Sequence, residues 1–242
     1  PSLNLKYALN EKQNLRFGAS KTYTLPQFKE RARFPYDDVT EVILGNPYLY
    51  ASDNYNLDLK WEMFPTDSEL ISVAAFGKYI QNPINEIMIA SATNDISYAN
   101  TGDKGYVYGV ELEFKKDILE FNEDKLSFGF NSSIMKTDQD FDAQKVTTET
   151  NGLVNIDPSH SSSRFTGASD FIINADLSYN KNFAEGKSIV ATVLYNYYSD
   201  KIYAIGTGGL GHRVDKGLGT LDFILKSKIS KRLGVELSAR NI

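Results

Sequence analysis

The residues best equipped for chemistry are few and scattered. His160 lies in Pro158-Ser159-His160-Ser161-Ser162-Ser163, and His212 in Gly208-Gly209-Leu210-Gly211-His212-Arg213. These are the two histidines of the chain, far apart along it, and a lone loop imidazole is ordinarily solvated rather than ligated to a metal. Cysteine is absent, which excludes disulfides, thiolate metal sites and cysteine nucleophiles together. The run Gly206-Thr207-Gly208-Gly209-Leu210-Gly211 has the glycine density of a phosphate-binding loop. A strand pattern follows it rather than a helix, so the N–H geometry of such a loop is missing and a flexible tip is expected. Asp37-Asp38 and Asp140/Asp142 could hold a cation, but acidic pairs in exposed loops are usually solvated. No Ser-His-Asp arrangement and no pair of carboxylates across a cleft can be assembled. No enzyme, no metal and no cofactor is therefore expected.

The elements that would position these residues are strands. Residues 54–64 alternate cleanly: Tyr55, Leu57, Leu59, Trp61 and Met63 stand against Asn54, Asn56, Asp58, Lys60 and Glu62. Such a segment has one apolar and one polar face. Residues 106–116, 126–134, 171–179 and 233–239 repeat the pattern, and 3–9, 13–24, 69–80, 188–199 and 217–228 carry less regular versions. About ten strands result, and no segment of comparable length has helical periodicity. Tyr55, Leu57, Leu59 and Trp61 are expected to project from the face opposite Asp58, Lys60 and Glu62.

The connections alternate in length. Short links fall at Asn10-Glu11-Lys12, Pro65-Thr66-Asp67-Ser68, Leu119 to Lys125, Asn182 to Lys187 and around Ser230-Lys231. Long ones cover 25–53, 81–104, 139–167 and 200–215. In an antiparallel meander, alternate connections emerge at opposite ends, so tight turns sit at one end and long loops at the other. Ten-residue strands joined this way are the pattern of an outer-membrane barrel. The same alternation would also fit a soluble sandwich, although sandwich turns show no such long–short order. An all-antiparallel chain follows, with no parallel pair and no more than one helix longer than two turns.

Composition agrees. The net charge of −5 argues against nucleic acid, which rewards a basic surface. No run of about 18 apolar residues marks a transmembrane helix, and Pro1-Ser2-Leu3-Asn4 lacks the regions of a signal peptide. Fifteen Tyr and 14 Phe accompany a single Trp. Rings on alternating strand positions suit lipid contact and interface girdles.

Specific wording then adds a family. Arg164-Phe165-Thr166-Gly167-Ala168-Ser169 with Asn174-Ala175-Asp176-Leu177-Ser178-Tyr179 resembles the "GxSxxxxNxxLxY" segment of TonB-dependent outer-membrane receptors. Tyr108-Gly109-Val110-Glu111-Leu112-Glu113 resembles their "YGVELE" strand, and Ser20 to Pro26 their "S-x-x-F-x-x-P" strand end. Gly45-Asn46-Pro47-Tyr48-Leu49 with Asn54-Tyr55-Asn56-Leu57-Asp58 is similar to their "GNPxLxPExSxNYDL" block, with Tyr50-Ala51-Ser52 in place of Pro-Glu. Phe76 to Ile84 is similar to "FYKxIxxPI", with Gly77 where an aromatic is common. Ser238-Ala239-Arg240-Asn241-Ile242 looks like the start of "xxNLxxxxY". The six matches cover essentially the whole chain in order.

The resemblance implies an all-β fold: an antiparallel meander forming strands 12 to 21 of a 22-stranded transmembrane barrel in a Gram-negative outer membrane. It implies that residues 1–242 are the C-terminal portion of such a barrel, without the plug domain or the final strand. TonB, the plug and outer-membrane lipid are the implied partners, and a siderophore or a glycan the implied ligand. The Lys-, Asn- and Tyr-rich composition suits a Bacteroidota source. The rivals are a passive porin or structural barrel and a soluble β-sheet binding module. Lumen-facing Glu111, Glu113, Lys60, Asp58, Asn174 and Asp176 are read as hydrating the wall or holding the plug. Ligand contacts are placed in the loops, at Phe34, Tyr36, Asp37, Asp38, Tyr98, Phe141, His160, Tyr203, His212 and Arg213, with Phe28, Tyr48 and Tyr50 as further aromatics.

Overall fold

The computed structural model describes residues 1–242 except 38, 40, 90–94, 123, 155 and 157–159. Ten strands form one wall: β1 (Ser2–Asn10), β2 (Gln13–Thr24), β3 (Ser52–Met63), β4 (Leu70–Gln81), β5 (Lys104–Phe121), β6 (Asp124–Asp140), β7 (Phe171–Phe183), β8 (Lys187–Tyr198), β9 (Leu218–Lys228) and β10 (Gly234–Ala239). Each pairs antiparallel with its sequence neighbours, so the wall is a simple meander. The sheet does not close on itself: β1 pairs only with β2, and β10 only with β9.

Register keeps the two faces apart, because residues directly opposite in a ladder share a face. Leu59 faces Phe17 and Ala75, while its neighbour Lys60 faces Arg16 and Ala74. Tyr55, Leu57 and Leu59 are exposed, whereas Asn54, Glu62 and Ser72 on the polar face are buried. Parts of the polar face are thus more enclosed than the apolar one. There Arg16 pairs with Glu62 at 2.6 Å, and Lys60 bridges Glu62 and Glu113 at 3.4 and 3.5 Å. On the apolar face, Tyr55, Tyr79 and Tyr106 form a row toward the loop end, with ring centroids 6.0 and 5.3 Å apart. Phe114 and Phe128 mark the turn end, 6.3 Å apart. Two aromatic belts flanking an aliphatic band are what a lipid-facing strand surface requires.

Gly109 in the middle of β5 has a steric reason. A Cβ there would lie 2.5 Å from the Ile134 carbonyl oxygen and 2.7 Å from Cζ of Phe76, whose ring covers the gap from the opposite strand.

Two expectations need correction. The link expected over Leu119 to Lys125 is mostly strand: β5 runs to Phe121 and β6 restarts at Asp124, with Asn122 in the left-handed region at φ 53°. The register passes from Leu126↔Leu119 to Ser127↔Asp117, which leaves Ile118 unpaired in a β-bulge. A bulge reverses the phase of alternation, so the pattern breaks there although the strand continues. Secondly, the chain is not wholly antiparallel. In the loops, Val42–Leu44 runs parallel to Ile96–Asn100 through Ile43↔Ile96 and Leu44↔Ser97. Those segments come from different loops, so no hairpin fixes their direction. Among the described residues there are two α-helices, α1 (Phe28–Arg31) and α2 (Ala143–Glu149), and a 3-10 turn at Ala184–Gly186, and none exceeds about two turns.

Candidate functional site

Four long loops, over 25–51, 82–103, 141–170 and 199–217, leave the same end of the wall. Instead of running separately, they fold together into a cap. Pro35–Asp37, Val42–Leu44, Ile96–Asn100 and Ile84–Met88 make a small sheet in that order. A hairpin of Lys201–Ala204 with Arg213–Asp215 docks on it, Met88 N–H donating to Ile205 O at 2.9 Å and Ile205 N–H to Glu86 O at 3.0 Å. Ile87, Ala99, Val146, Val154, Ile156 and Ile205 pack into a core beneath, and Met88, Ile96 and Ala204 into a second. Every buried apolar side chain among the described residues belongs to these loops. The wall has no dry interior of its own, as expected of a sheet with lipid on one side and a wet lumen on the other.

Amide side chains, some of them in the motif segments, brace the cap and the rim of the wall. Asn46 is buried; its N–H donates to Glu30 O at 2.6 Å and its amide to Tyr98 O at 2.9 Å, joining α1 to the small sheet. Asn54 donates to Thr24 Oγ1 at 2.8 Å, and Asn174 reaches Asn131 across the wall at 2.6 Å. Asn85 and Gln139 form a buried reciprocal amide pair, at 2.7 and 3.0 Å. Asn85 also donates to Thr101 Oγ1 at 2.7 Å and accepts from Thr166 Oγ1 at 3.2 Å.

Helix α2 acts as a clamp. Its N-terminus is capped by Asp142, whose carboxylate accepts from Lys145 N at 2.9 Å. Lys145 Nζ then donates to Asn82 Oδ1, Gly102 O and Asp103 Oδ1 at 2.9, 3.0 and 2.6 Å, while Tyr50 Oη donates to Glu149 at 2.9 Å. Burial opposes the Lys145 charge, but Asp103, Tyr50 and Glu149 outweigh it and raise the ammonium above the ordinary lysine value. The Lys145 hydrogen bond and charge lower the Asp103 carboxyl. A raised lysine loses its contribution only as pH rises through its pKa, and a lowered aspartate only as pH falls through its own. The clamp should therefore be insensitive to pH between about 4 and 10. Lys145→Met should raise amide exchange over residues 143–150 by about 10-fold or more through the lost charged hydrogen bonds, with the wall strands unchanged. Equal exchange in both proteins would show that α2 is held by its apolar side alone.

A cleft of about 510 Å³ opens where three loops meet. Phe34, Pro35, Pro47 and Tyr48 give it ring-lined walls, and Leu153 and Val154 its far side. Arg33 stands on its edge with no ion pair to any described residue. An unpaired guanidinium among aromatic and proline rings suits a flat or bulky anion.

The expected ligand residues divide in this geometry. Phe34 lines the cleft, and Tyr36 and Asp37 follow on the exposed strand beside it; Asp38 lies outside the described residues. Tyr98 is buried, its phenol pushed up to about 12 by burial and by the Glu86 carboxylate. Phe141 packs against the larger core. Tyr203 donates its hydroxyl to Glu41, Arg213 pairs with the same carboxylate at 2.5 Å, and the guanidinium lies 5.4 Å above the Tyr203 ring. Burial and Glu41 together raise the Tyr203 phenol. His160 and His212, distant in sequence, are neighbours in the fold with ring centroids 5.9 Å apart, which corrects the expectation of two isolated histidines. Among the described residues, no three His, Cys, Asp or Glu side chains are grouped to hold a metal. Sequence reasoning passed over Arg33, Asn85, Gln139 and Lys145. The Asn151-Gly152 turn on the cleft, with Asn151 at φ 51° and Gly152 at 73°, was legible as a turn dipeptide.

A family model described as "TonB dependent receptor-like, beta-barrel" matches residues 1–242. No curated protein sequence matches. Among solved structures, the chain is similar to a variant of the ferric enterobactin receptor PfeA from Pseudomonas aeruginosa, at 18% identity and a TM-score of 0.59, covering 100% of this chain and 34% of that one. It is also similar to the ferric yersiniabactin uptake receptor FyuA from Yersinia pestis (14%, 0.62, 100% and 31%). The siderophore receptor PirA from Acinetobacter baumannii gives 17%, 0.58, 100% and 36%. The chain thus spans about a third of the length of these structures, and at such identities the likeness is one of fold.

Proposed function

Because the chain belongs to the TonB-dependent receptor family, as part of its β-barrel, we propose that it serves in an outer membrane as the wall and capture loops of a siderophore importer. The observation that carries this reading is the amphipathic wall whose loops at one end fold into a cap with its own core and an open, ring-lined cleft. A passive pore needs no such ordered structure over its mouth. In the intact receptor, β1 and β10 would pair onward with further strands, the polar face would enclose a plug, and TonB would supply the work of opening it. Arg33 and the rings around it favour an anionic metal chelate over a neutral glycan.

The test uses the intact receptor carrying Arg33→Ala with Phe34→Ala. Affinity for the anionic ferric siderophore it takes up, chosen from a panel that includes ferric enterobactin and ferric yersiniabactin, should fall by about 10- to 100-fold, as loss of a charged contact and a stacked ring implies. Heat-modifiable migration should show the barrel intact. Unchanged siderophore binding, or binding of oligosaccharides instead, would move the ligand away from this cleft and class.

A further inference from the structure

We propose that His212 is an acid-released latch joining the 199–217 loop to the 141–170 loop. Both ring nitrogens are committed. Nδ1 accepts the Gly206 N–H at 3.1 Å, so it carries no proton. Nε2 lies 3.0 Å from Ser163 Oγ, and in the neutral ring it is the nitrogen left to hold the hydrogen and donate it. The imidazole is thus fixed as one neutral tautomer by a backbone donor of its own hairpin and a hydroxyl of the other loop. Ser163 is in turn anchored to the wall, Ser162–Ser163 pairing with Gln139 and Asp140 at the end of β6. The ring therefore ties the hairpin tip to the rim of the wall.

Protonation leaves the Nε2–H bond to Ser163 in place but destroys the Nδ1 contact that seats the ring in its own hairpin. A proton on Nδ1 would point at the Gly206 N–H, turning an acceptor into a second donor facing a donor. Gly206 cannot retreat easily, because the tip folds closely over it: a Cβ there would meet Leu210 O at 2.3 Å and Gly211 O at 2.5 Å. The new charge would also sit beside other basic groups. His160 meets the ring edge-on from the 141–170 loop, and Arg164 follows Ser163. Arg164 is engaged by Asp170, the adjacent Arg213 by Glu41, and Lys201 at the hairpin base by Asp215 at 3.7 Å. The neighbouring carboxylates are therefore already matched to other cations. Burial, then His160, then Arg164 hold the imidazole below its ordinary 6.5.

The sign follows from linkage. The open loop binds the proton more readily than the closed one, so closure is fully favoured above about 6.5 and weakens as pH falls below it, by at most tenfold per pH unit for one proton. This contrasts with the α2 clamp, which keeps its charges throughout that range. Acid would free one side of the cap and leave the other fastened.

The experiment is amide hydrogen exchange on the intact receptor in lipid, followed from about pH 8 to pH 5 and corrected for intrinsic exchange. In the unaltered protein, protection of segments 161–166 and 204–213 should fall about 10-fold or more across the lower half of that range, while 143–150 stays constant. His212→Gln should abolish the step. His160→Gln should keep the step but move its midpoint upward, toward the free-imidazole value, because the neighbouring ring that opposes the His212 charge is gone. A flat profile in the unaltered protein, a step that survives His212→Gln, or an unmoved midpoint in His160→Gln would each overturn the latch. Should His212→Gln fail to assemble, the His160→Gln midpoint decides alone.

Discussion

Val110→Arg is expected to destabilise the intact receptor in lipid by about 2–4 kcal/mol, the cost of a cation at the bilayer midplane. Val110 stands on the apolar face, opposite Ala75 and Ile134, and midway between the belts marked by Tyr106 and Phe114. Glu111→Arg, one residue on, puts the same charge on the polar face opposite Ala74 and Ser133, where Lys60 and Glu113 are already part-exposed. Its cost should be under about 1 kcal/mol. Tyr106→Arg, at the belt, should fall between about 0 and 1 kcal/mol because the penalty vanishes toward the interface. Equilibrium folding into vesicles in denaturant measures all three. A soluble sandwich would also resent Val110→Arg, but it would show no dependence on depth. Three equal losses would rule out lipid on this face.

Asn85→Leu is expected to loosen the cap by about 2–4 kcal/mol while leaving the wall folded. The residue is only 2% exposed and joins Thr101, Gln139 and Thr166, so one substitution strands the Gln139 carbonyl oxygen and the Thr101 hydroxyl in a dry place and takes a partner from the part-buried Thr166. Each stranded buried group costs about 1–3 kcal/mol. Gln139 keeps one bond, from Nε2 to Arg164 O at 3.1 Å. The double variant Asn85→Leu with Gln139→Leu should recover part of the loss, since removing both partners leaves fewer polar atoms unmet. Exchange or limited proteolysis across 97–103 and 163–168 reads the effect. Additive losses in the double variant would mean that the two amides do not act as a pair.

The wall was legible because each strand carries its own instruction. Alternation at 54–64 or 171–179 needs no partner to be read, and the turn-versus-loop order follows from where it stops. The pattern failed at Ile118 for a physical reason: the bulge inverts which parity faces outward, so Leu119 and Phe121 look out of phase with Phe114. The cap was not legible. Ile84–Met88 and Ile96–Asn100 are five residues each, too short to show a period, and although they pair with each other, Ile96 and Ser97 find their second partner in another loop. Helix α2 contains Val146, Thr147 and Thr148, poor helix formers; Asp142 and Lys145 hold it, through contacts that sequence spacing does not reveal. The ligand residues show the same limit. Loop position alone put Phe34, Tyr98 and Phe141 in one class, yet the fold turns Phe34 to a cleft and the other two inward.

The cap's larger core is contributed in small lots: Ile87 and Ala99 from one loop, Val146, Val154 and Ile156 from a second, Ile205 from a third. None of these segments has enough apolar side chains to bury them alone, so the interior exists only once all three loops have come together. Losing the packing of any one loop therefore leaves the other two with part of a core and their apolar residues bare, which makes the cap an all-or-none unit rather than three independent loops.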